Sequence, residues 1–326
     1  MNPTSEPLVS IVTPVYNGES FLGDCIESIL AQSYENWEYI ILNNCSTDRS
    51  LNIAEKYDEK DARIQIYSNK KLLPIMKNWN HALRQISPAS KYCKVVHADD
   101  LIFPQCIELM VRVAEGNPSV GIVGSYGLKG NKVVSDRLPF PSECISGREL
   151  CRLALRRQVR PFPRPTSLLI RSDLIRKNDP FYNESNLQAD HEVCYEILRN
   201  HDFGFVHQVL TFIRVHEGSV TSSDFAVYEK LYYTNLALLI KYGPIFLSKD
   251  EYKEILNKQL KRYYLFLAFS LFSKKDRSFW EYQRNSLHDL GYKLVMFRLY
   301  YIIFIEFINS PRMTLSKIKR LILASR

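Results

Sequence analysis

No CxxC pair occurs in this chain, and its seven cysteines (Cys25, Cys45, Cys93, Cys106, Cys144, Cys151 and Cys194) are scattered and odd in number. That excludes the usual zinc spacings and a disulfide framework, and it fits a reducing, cytoplasmic setting. A glycine-rich phosphate loop is missing too. The turn after the first apolar run reads Pro14-Val15-Tyr16-Asn17-Gly18, which sets aside a nucleotidyltransferase built on such a loop. The run from Leu8 to Val15 has no basic flank and no small-residue cleavage site, so no secretory leader is expected. The two most apolar later runs, from Tyr263 to Phe272 and from Leu299 to Ile305, are each too short to span a bilayer. No basic stretch interleaved with aromatics resembles a nucleic-acid module, so nucleic acid is not an expected partner. There are no internal repeats or low-complexity tracts.

What is present is ordinary globular composition. The 326 residues are 46% hydrophobic and 24% charged, enough for one large domain or two ordinary ones. The net charge of +8 attracts polyanions without saying which: nucleoside diphosphates and anionic membrane surfaces both qualify.

Up to Val96 the chain alternates apolar β-rich runs with helical periodicity. Strands are expected at Leu8–Thr13, Trp37–Leu42, Ile64–Tyr67 and Tyr92–Val96. Helices between them are carried by Phe21, Leu22, Cys25, Ile26, Ile29 and Leu30, then by Leu51, Ile53, Ala54 and Tyr57, then by residues 74–86. Ser20 can help start the first, and Ser46 or Thr47 can cap the second. This alternation predicts an α/β fold: a doubly wound, mostly parallel sheet with helices on both faces. Helices follow at 104–115, 147–157 and 188–200, with strands at 120–126, 132–134, 166–171 and 203–215. Residues 137–146 read as a loop, and Arg160–Pro165 as extended because proline pushes its preceding residue out of the α region. The expected organisation is a first domain over 1–225, with halves at about 8–118 and 119–225, and a helical region over 226–326.

In that last region, 11 of the 20 tyrosines fall between Tyr228 and Tyr301, and residues 311–326 hold five basic residues and no acidic one. Aromatic helices are usually core, so a helical subdomain closing over the first domain is the favoured expectation. The other is peripheral contact with an anionic membrane face through Ile318, Leu321, Ile322 and Leu323. A homo-oligomer is left open.

The informative stretch is Lys94-Val95-Val96-His97-Ala98-Asp99-Asp100. An apolar strand that ends on adjacent carboxylates suits the rim of an open α/β sheet, where ligands bind. Carboxylates there can hold a hard divalent cation, and the cation a phosphate. The alternative is that Asp99 or Asp100 caps the helix near Pro104.

Four landmarks in order resemble family 2 glycosyltransferases with the GT-A fold: Val9-Ser-Ile-Val-Thr-Pro-Val-Tyr-Asn17, Asn43-Asn-Cys-Ser-Thr-Asp48, Ala98-Asp-Asp100 and Ala189-Asp-His-Glu192. The resemblance covers about residues 8–220. It implies an inverting, metal-dependent transfer of a sugar from a nucleoside-diphosphate sugar to a hydroxyl of a glycan or lipid-linked acceptor, in cell-surface polysaccharide synthesis. It implies Mg²⁺ or Mn²⁺ as cofactor. Pro14 and Tyr16 would lie beneath the nucleoside, Asn44 would contact the base, and Asn78 would flank the sugar-phosphate. Asp99 would bind the metal, with His216 near it. Asp190 would be the general base, with Glu192 as its fallback and His191 structural or acceptor-facing. Apart from the resemblance, Lys70 or Lys71, just after the third strand, can add charge near the diphosphate or simply lie solvated.

The chain departs from the pattern where two acidic residues are usual and Asn43-Asn44 stand instead, and again at His97, where the first Asp of the DxD motif is usual. Asparagine still both donates and accepts, so uridine remains the favoured base. His97 can ligate a softer divalent metal or hydrogen-bond a ribose. These departures keep a second expectation alive: a degenerate relative that binds nucleotide sugar or glycan without turnover.

Overall fold

The computed structural model describes residues 6–135, 138, 142–162, 164–186, 188–216 and 225–324, with backbone alone for 225–229 and 322–324. Part of the 137–146 loop, Pro163 and the stretch 217–221 lie outside the described residues.

The chain opens with β1 (Val9–Val15), α1 (Leu22–Leu30), β2 (Trp37–Asn43), α2 (Ser50–Asp58), β3 (Ile64–Ser68), α3 (Ile75–Leu83) and β4 (Tyr92–Val95). β2 and β4 flank β1, with β3 beyond β2, all parallel. Every β1 residue is buried except half-buried Pro14. Alternate residues of a strand face opposite sides, so burial of both sets requires cover on both faces. Val9, Ile11 and Val15 pack with α1 residues Cys25, Ile26 and Ile29, while α3 also contacts β1 and β2.

Beyond β4 come β5 (Leu101–Ile102), α4 (Cys106–Gly116), β6 (Val120–Lys129), β7 (Lys132–Val134), β8 (Cys144–Ile145), α5 (Gly147–Leu155), β9 (Leu168–Arg171), α6 (Ser172–Arg176), α7 (Ala189–Leu198) and β10 (Asp202–Ile213). The sheet order is β3-β2-β1-β4-β9-β6-β10-β5, with β7 on β6 and β8 on β10. The α/β, GT-A-like expectation holds. The sheet is parallel through β4 and mixed beyond, because β9 enters from the carboxyl end of β4 and runs antiparallel to both β4 and β6.

β10 carries the consequence for the site. Its register against β6 shifts three times, after Asp202 and on either side of Val209, and bulges of this kind bend a strand. Its far end pairs with β5, Phe212 opposite Leu101. The residues after β10 therefore lie beside those before β5.

One capping expectation is corrected. Neither Ser46 nor Thr47 caps α2, which lacks a side-chain cap, as does α1 after Ser20. Asp48 makes a turn ahead of α2 and ties it to the loop before α1, accepting from the backbone N–H of Ser50 at 2.9 Å and of Glu19 at 2.9 Å. Ser46 and Thr47 instead hold Asn17, whose φ of 49° is left-handed.

Residues 1–223 and 224–326 form two compact units. The second contains α8 (Phe225–Phe246), α9 (Lys249–Ser270), α10 (Arg277–Asp289), α11 (Met296–Asn309) and α12 (Pro311–Ala324). Its own core joins Leu236, Tyr263, Tyr264, Leu267, Phe279 and Leu299. Stacked rings such as Tyr232 on Phe266, 4.3 Å apart, supply much of the contact. Among the described residues no helix is long and apolar enough to cross a membrane.

Candidate active site

The site builds up from the carboxyl ends of β4 and β10. Asp99 and Asp100 follow β4; Arg214 and His216 follow β10. The pairing of β10 with β5 brings His216 Nε2 to 3.1 Å from Asp99 Oδ2 across 117 residues of sequence. Asp100 is fully buried. Its Oδ2 accepts from the Thr166 hydroxyl at 2.6 Å, and its Oδ1 from the Arg214 backbone N–H at 3.2 Å. Burial raises the Asp100 carboxyl, the Asp99 charge adds to that, and His97 and Thr166 oppose it.

Neither aspartate caps α4, whose start at Gln105 has no side-chain cap. Asp100 has a different task. It fixes Thr166 and the end of β10, so that Asp99 is left facing His216.

The Thr166 turn is itself pinned by Lys94, a fully buried lysine in β4. Its Nζ donates to the carbonyls of Thr166 at 2.7 Å and Leu168 at 3.3 Å. Burial holds the Lys94 ammonium below its ordinary range, as expected where water is excluded. The Thr166 hydroxyl also accepts from the His97 backbone N–H at 3.2 Å. Arg214 closes the other side. It donates to the Asp99 carbonyl at 3.2 Å and to Asp24 Oδ2 at 3.0 Å. The Phe21 ring lies 4.9 Å from the Arg214 guanidinium and 4.6 Å from the His216 ring.

Nitrogen and oxygen donors of His97, Asp99 and Asp100 lie within 4.8 Å of one another. The His97 Nε2 is buried and has no hydrogen-bond partner among the described residues. With His216 on Asp99, the donor set is imidazole plus carboxylate. It fits a divalent ion that accepts both, as Mn²⁺ does.

A second cluster sits at the ends of β2 and β3. Asn44 is buried, and its side chain is used within the fold. Its Nδ2 donates to the Leu73 carbonyl at 2.9 Å, and its Oδ1 accepts from Leu73 N–H at 2.9 Å and Asn69 Nδ2 at 2.8 Å. Asn69 Nδ2 also reaches Asn78 Oδ1 at 2.8 Å. Its Oδ1 meets His81 Nδ1 at 2.6 Å. Because Asn69 Nδ2 already donates twice, its Oδ1 must accept, and the proton sits on His81 Nδ1. Pro14 lies in β1 beside Leu42, and Tyr16 beyond it is 50% exposed. Lys70 and Lys71 are exposed on the loop after β3.

Helix α3 links this cluster to the rest. Asn78 faces Asn69. The next residue, Trp79, puts its ring 4.7 Å from His97 and 5.5 Å from Tyr182. Asn80 then donates to the Tyr182 carbonyl and accepts from the Tyr182 N–H, each at 2.8 Å.

The segment from Tyr182 leads into α7, where Asp190 stands in the first turn. Asp190 does not cap α7, which has no side-chain cap. Its Oδ1 accepts only the neighbouring His191 N–H, at 2.9 Å, among the described residues. Burial, then the Asp190 charge, raise the Tyr182 phenol, so the two are electrostatic neighbours. Glu192 is held by Asn186 Nδ2 at 2.7 Å and Asn183 Nδ2 at 3.2 Å. Asp190 makes no hydrogen bond to the Asp99 cluster among the described residues.

Residue patterns did not single out Asn69, Trp79, Asn80, Thr166 or Arg214. Asn69 carries a usable signal, since it directly ends β3 as Asn43 and Asn44 end β2. Thr166 carries none, because its role depends on the reversed direction of β9.

Parallel strands β1 to β4 followed by a mixed sheet, with carboxylates where β4 ends, are the arrangement of the GT-A fold. The chain belongs to glycosyl transferase family 2, whose family model matches residues 10–176. An uncharacterized glycosyltransferase of Haemophilus influenzae is 39% identical over 120 residues, 37% of this chain and 36% of that one. The chain thus spans about a third of that relative's length. Among solved structures, S. aureus TarS in complex with UDP-GlcNAc matches with a TM-score of 0.66 at 18% identity, over 86% of this chain and 80% of TarS. The mannosyltransferase PcManGT of Pyrobaculum calidifontis, in complex with GDP-Man and Mn²⁺, matches with a TM-score of 0.56 at 14% identity, over 99% of this chain and 87% of that one. At these identities the structural likeness shows the fold alone.

Proposed function

We propose that the chain transfers a sugar from a nucleoside-diphosphate sugar, a UDP-sugar foremost, to a hydroxyl of a glycan or lipid-linked acceptor with inversion, in cell-surface polysaccharide synthesis. The observation that carries this reading is the approach of His216 to Asp99 at 3.1 Å, at the adjoining ends of two strands. Asp99 and His216 would hold a divalent cation, Mn²⁺ or Mg²⁺, with His97 beside them. When bound, the cation neutralises charge that develops on the departing diphosphate.

The remaining work falls to side chains. Tyr16 and Pro14 offer a face to the nucleoside. Asn44 acts on the base pocket mainly through the loop it grips at Leu73, and Asn78 sets the sugar-phosphate side. Asp190 takes the proton of the acceptor hydroxyl as its oxygen bonds to the anomeric carbon. The electron pair of the breaking bond leaves with the diphosphate. Free aspartate has a pKa of about 3.9, so its contribution comes from placement. Glu192 is committed to Asn183 and Asn186, which favours Asp190 over it as the base. Contact with the cytoplasmic face of a membrane and self-association belong to the same reading.

Purified protein with Mn²⁺ and a panel of nucleotide sugars is expected to release nucleoside diphosphate slowly from one donor, and Asp99→Ala to abolish the release. Full turnover in that variant would remove the metal role. A second reading, binding without turnover, draws on His97 and on the internal use of the Asn44 amide. Calorimetry that finds donor binding and no transfer to any acceptor would favour it.

A further inference from the structure

Helix α11 is apolar on two opposite sides. Leu299, Ile302 and Ile303 pack into the core of the second unit. About half a turn away, Phe297, Tyr300, Tyr301, Phe304 and Ile308 recur at helical spacing and are 80%, 59%, 57%, 59% and 58% exposed. Single exposed apolar residues are normal, but a contiguous stripe of large ones marks an interaction surface. A helix apolar all round belongs in a core or against lipid.

Charge selects the partner. The segment from Met296 to Leu321 holds Arg298, Arg312, Lys317, Lys319 and Arg320 against the single acid Glu306. On α12, Arg312, Lys319 and Arg320 are exposed beside Met313 and Leu315, which are 67% and 55% exposed. We propose that the outward stripe of α11, flanked by the cations of α12, docks the protein on an anionic lipid bilayer.

The helix lies in the headgroup plane and does not cross the bilayer. Its 14 residues reach only about 21 Å at 1.5 Å per residue, short of the hydrocarbon thickness. Phenylalanine and tyrosine with nearby lysine and arginine are the residues that such interfaces take. A second copy is a poorer occupant, because a two-fold contact apposes the same patch on both subunits and would bring like charges together. The apolar contact thereby moves from the tail to α11: Ile318 and Leu321 are half-buried, and the side chains of Ile322 and Leu323 lie outside the described residues.

The test is flotation of the full chain with phosphatidylcholine vesicles, and with vesicles in which phosphatidylglycerol replaces about one third of that lipid. The chain is expected to float with the anionic vesicles and to be largely released by high salt. The double variant F297S/F304S is expected to lose binding about tenfold or more, with its circular dichroism and melting unchanged. The pair Y300S/I308S provides a second variant should the first misfold. Absence of flotation, or wild-type flotation by folded variants, would overturn the proposal. So would sedimentation that finds a dimeric wild type and a monomeric variant, since that assigns the stripe to a second copy. No donor or acceptor enters the experiment, so its failure removes the membrane contact and leaves the sugar-transfer reaction untouched.

Discussion

Asp99 and Asp100 are neighbours in sequence with opposite surroundings, and the difference decides their work. Both oxygens of Asp100 are taken by Thr166 and the Arg214 backbone, whereas Asp99 faces an imidazole. Beneath them Cys25 lies fully buried, its thiol donating to the His97 carbonyl at 3.5 Å. Burial pushes the Cys25 thiol up to about 12; hydrogen bonds from Tyr39 and Thr13 oppose this, and the charges of Asp100 and Asp99 add to it. An unfolded thiol ionises near pH 8.5. The folded state keeps its proton longer, so the stability this group contributes is complete below about pH 8.5 and is lost as pH rises toward its folded value. Melting temperatures measured from neutral to alkaline pH are expected to fall less steeply in Cys25→Ala than in the wild type. Identical slopes would refute the assignment.

At this scale the sequence discloses residue type better than role. The acidic pair was visible as a strand-end feature, and its order with the other landmarks pointed to the family. Which carboxylate is structural, and through which partner, was not visible, because Thr166 reaches Asp100 from 66 residues away.

Among the elements, α3 carries the most coupling. Three consecutive side chains reach three places: Asn78 the asparagine cluster, Trp79 the His97 ring, and Asn80 the backbone of Tyr182. Asn80→Ala removes two short hydrogen bonds to buried backbone, at a cost of about 1–3 kcal/mol. It is expected to lower kcat through the Tyr182-to-Asp190 segment while donor affinity, measured by calorimetry, stays within about twofold. Asn78→Ala is expected to weaken the donor instead. Equal effects of both variants on donor affinity would contradict this division.

The elements from β1 to β4 were legible because each strand is apolar over its length and each helix keeps its period. β5 and β8 have two residues each, and α6 has five. Segments that short show no period, so they were not foreseen. Yet β5 is what draws His216 to Asp99. The cap of α2 was misread because Ser46 and Thr47 are drawn to Asn17, a partner before α1 that sequence order does not reveal.

Across the whole molecule, the basic excess of +8 resides in the second unit: residues 224–326 hold 18 Lys and Arg against 9 Asp and Glu, while residues 1–223 hold 25 against 26. The aromatic composition of the second unit was plain in the sequence. That α11 would leave one of its apolar sides outward was not, because the period of a helix apolar all round does not tell inside from outside.

The reaction proposed for this chain turns on Asp190 as its base. Transfer and donor binding should be measured side by side in wild type and Asp190→Asn, with Mn²⁺, the donor found in the panel and its acceptor. Donor affinity is expected to be retained while transfer falls about 10²–10⁴-fold. Undiminished transfer in Asp190→Asn would contradict the account.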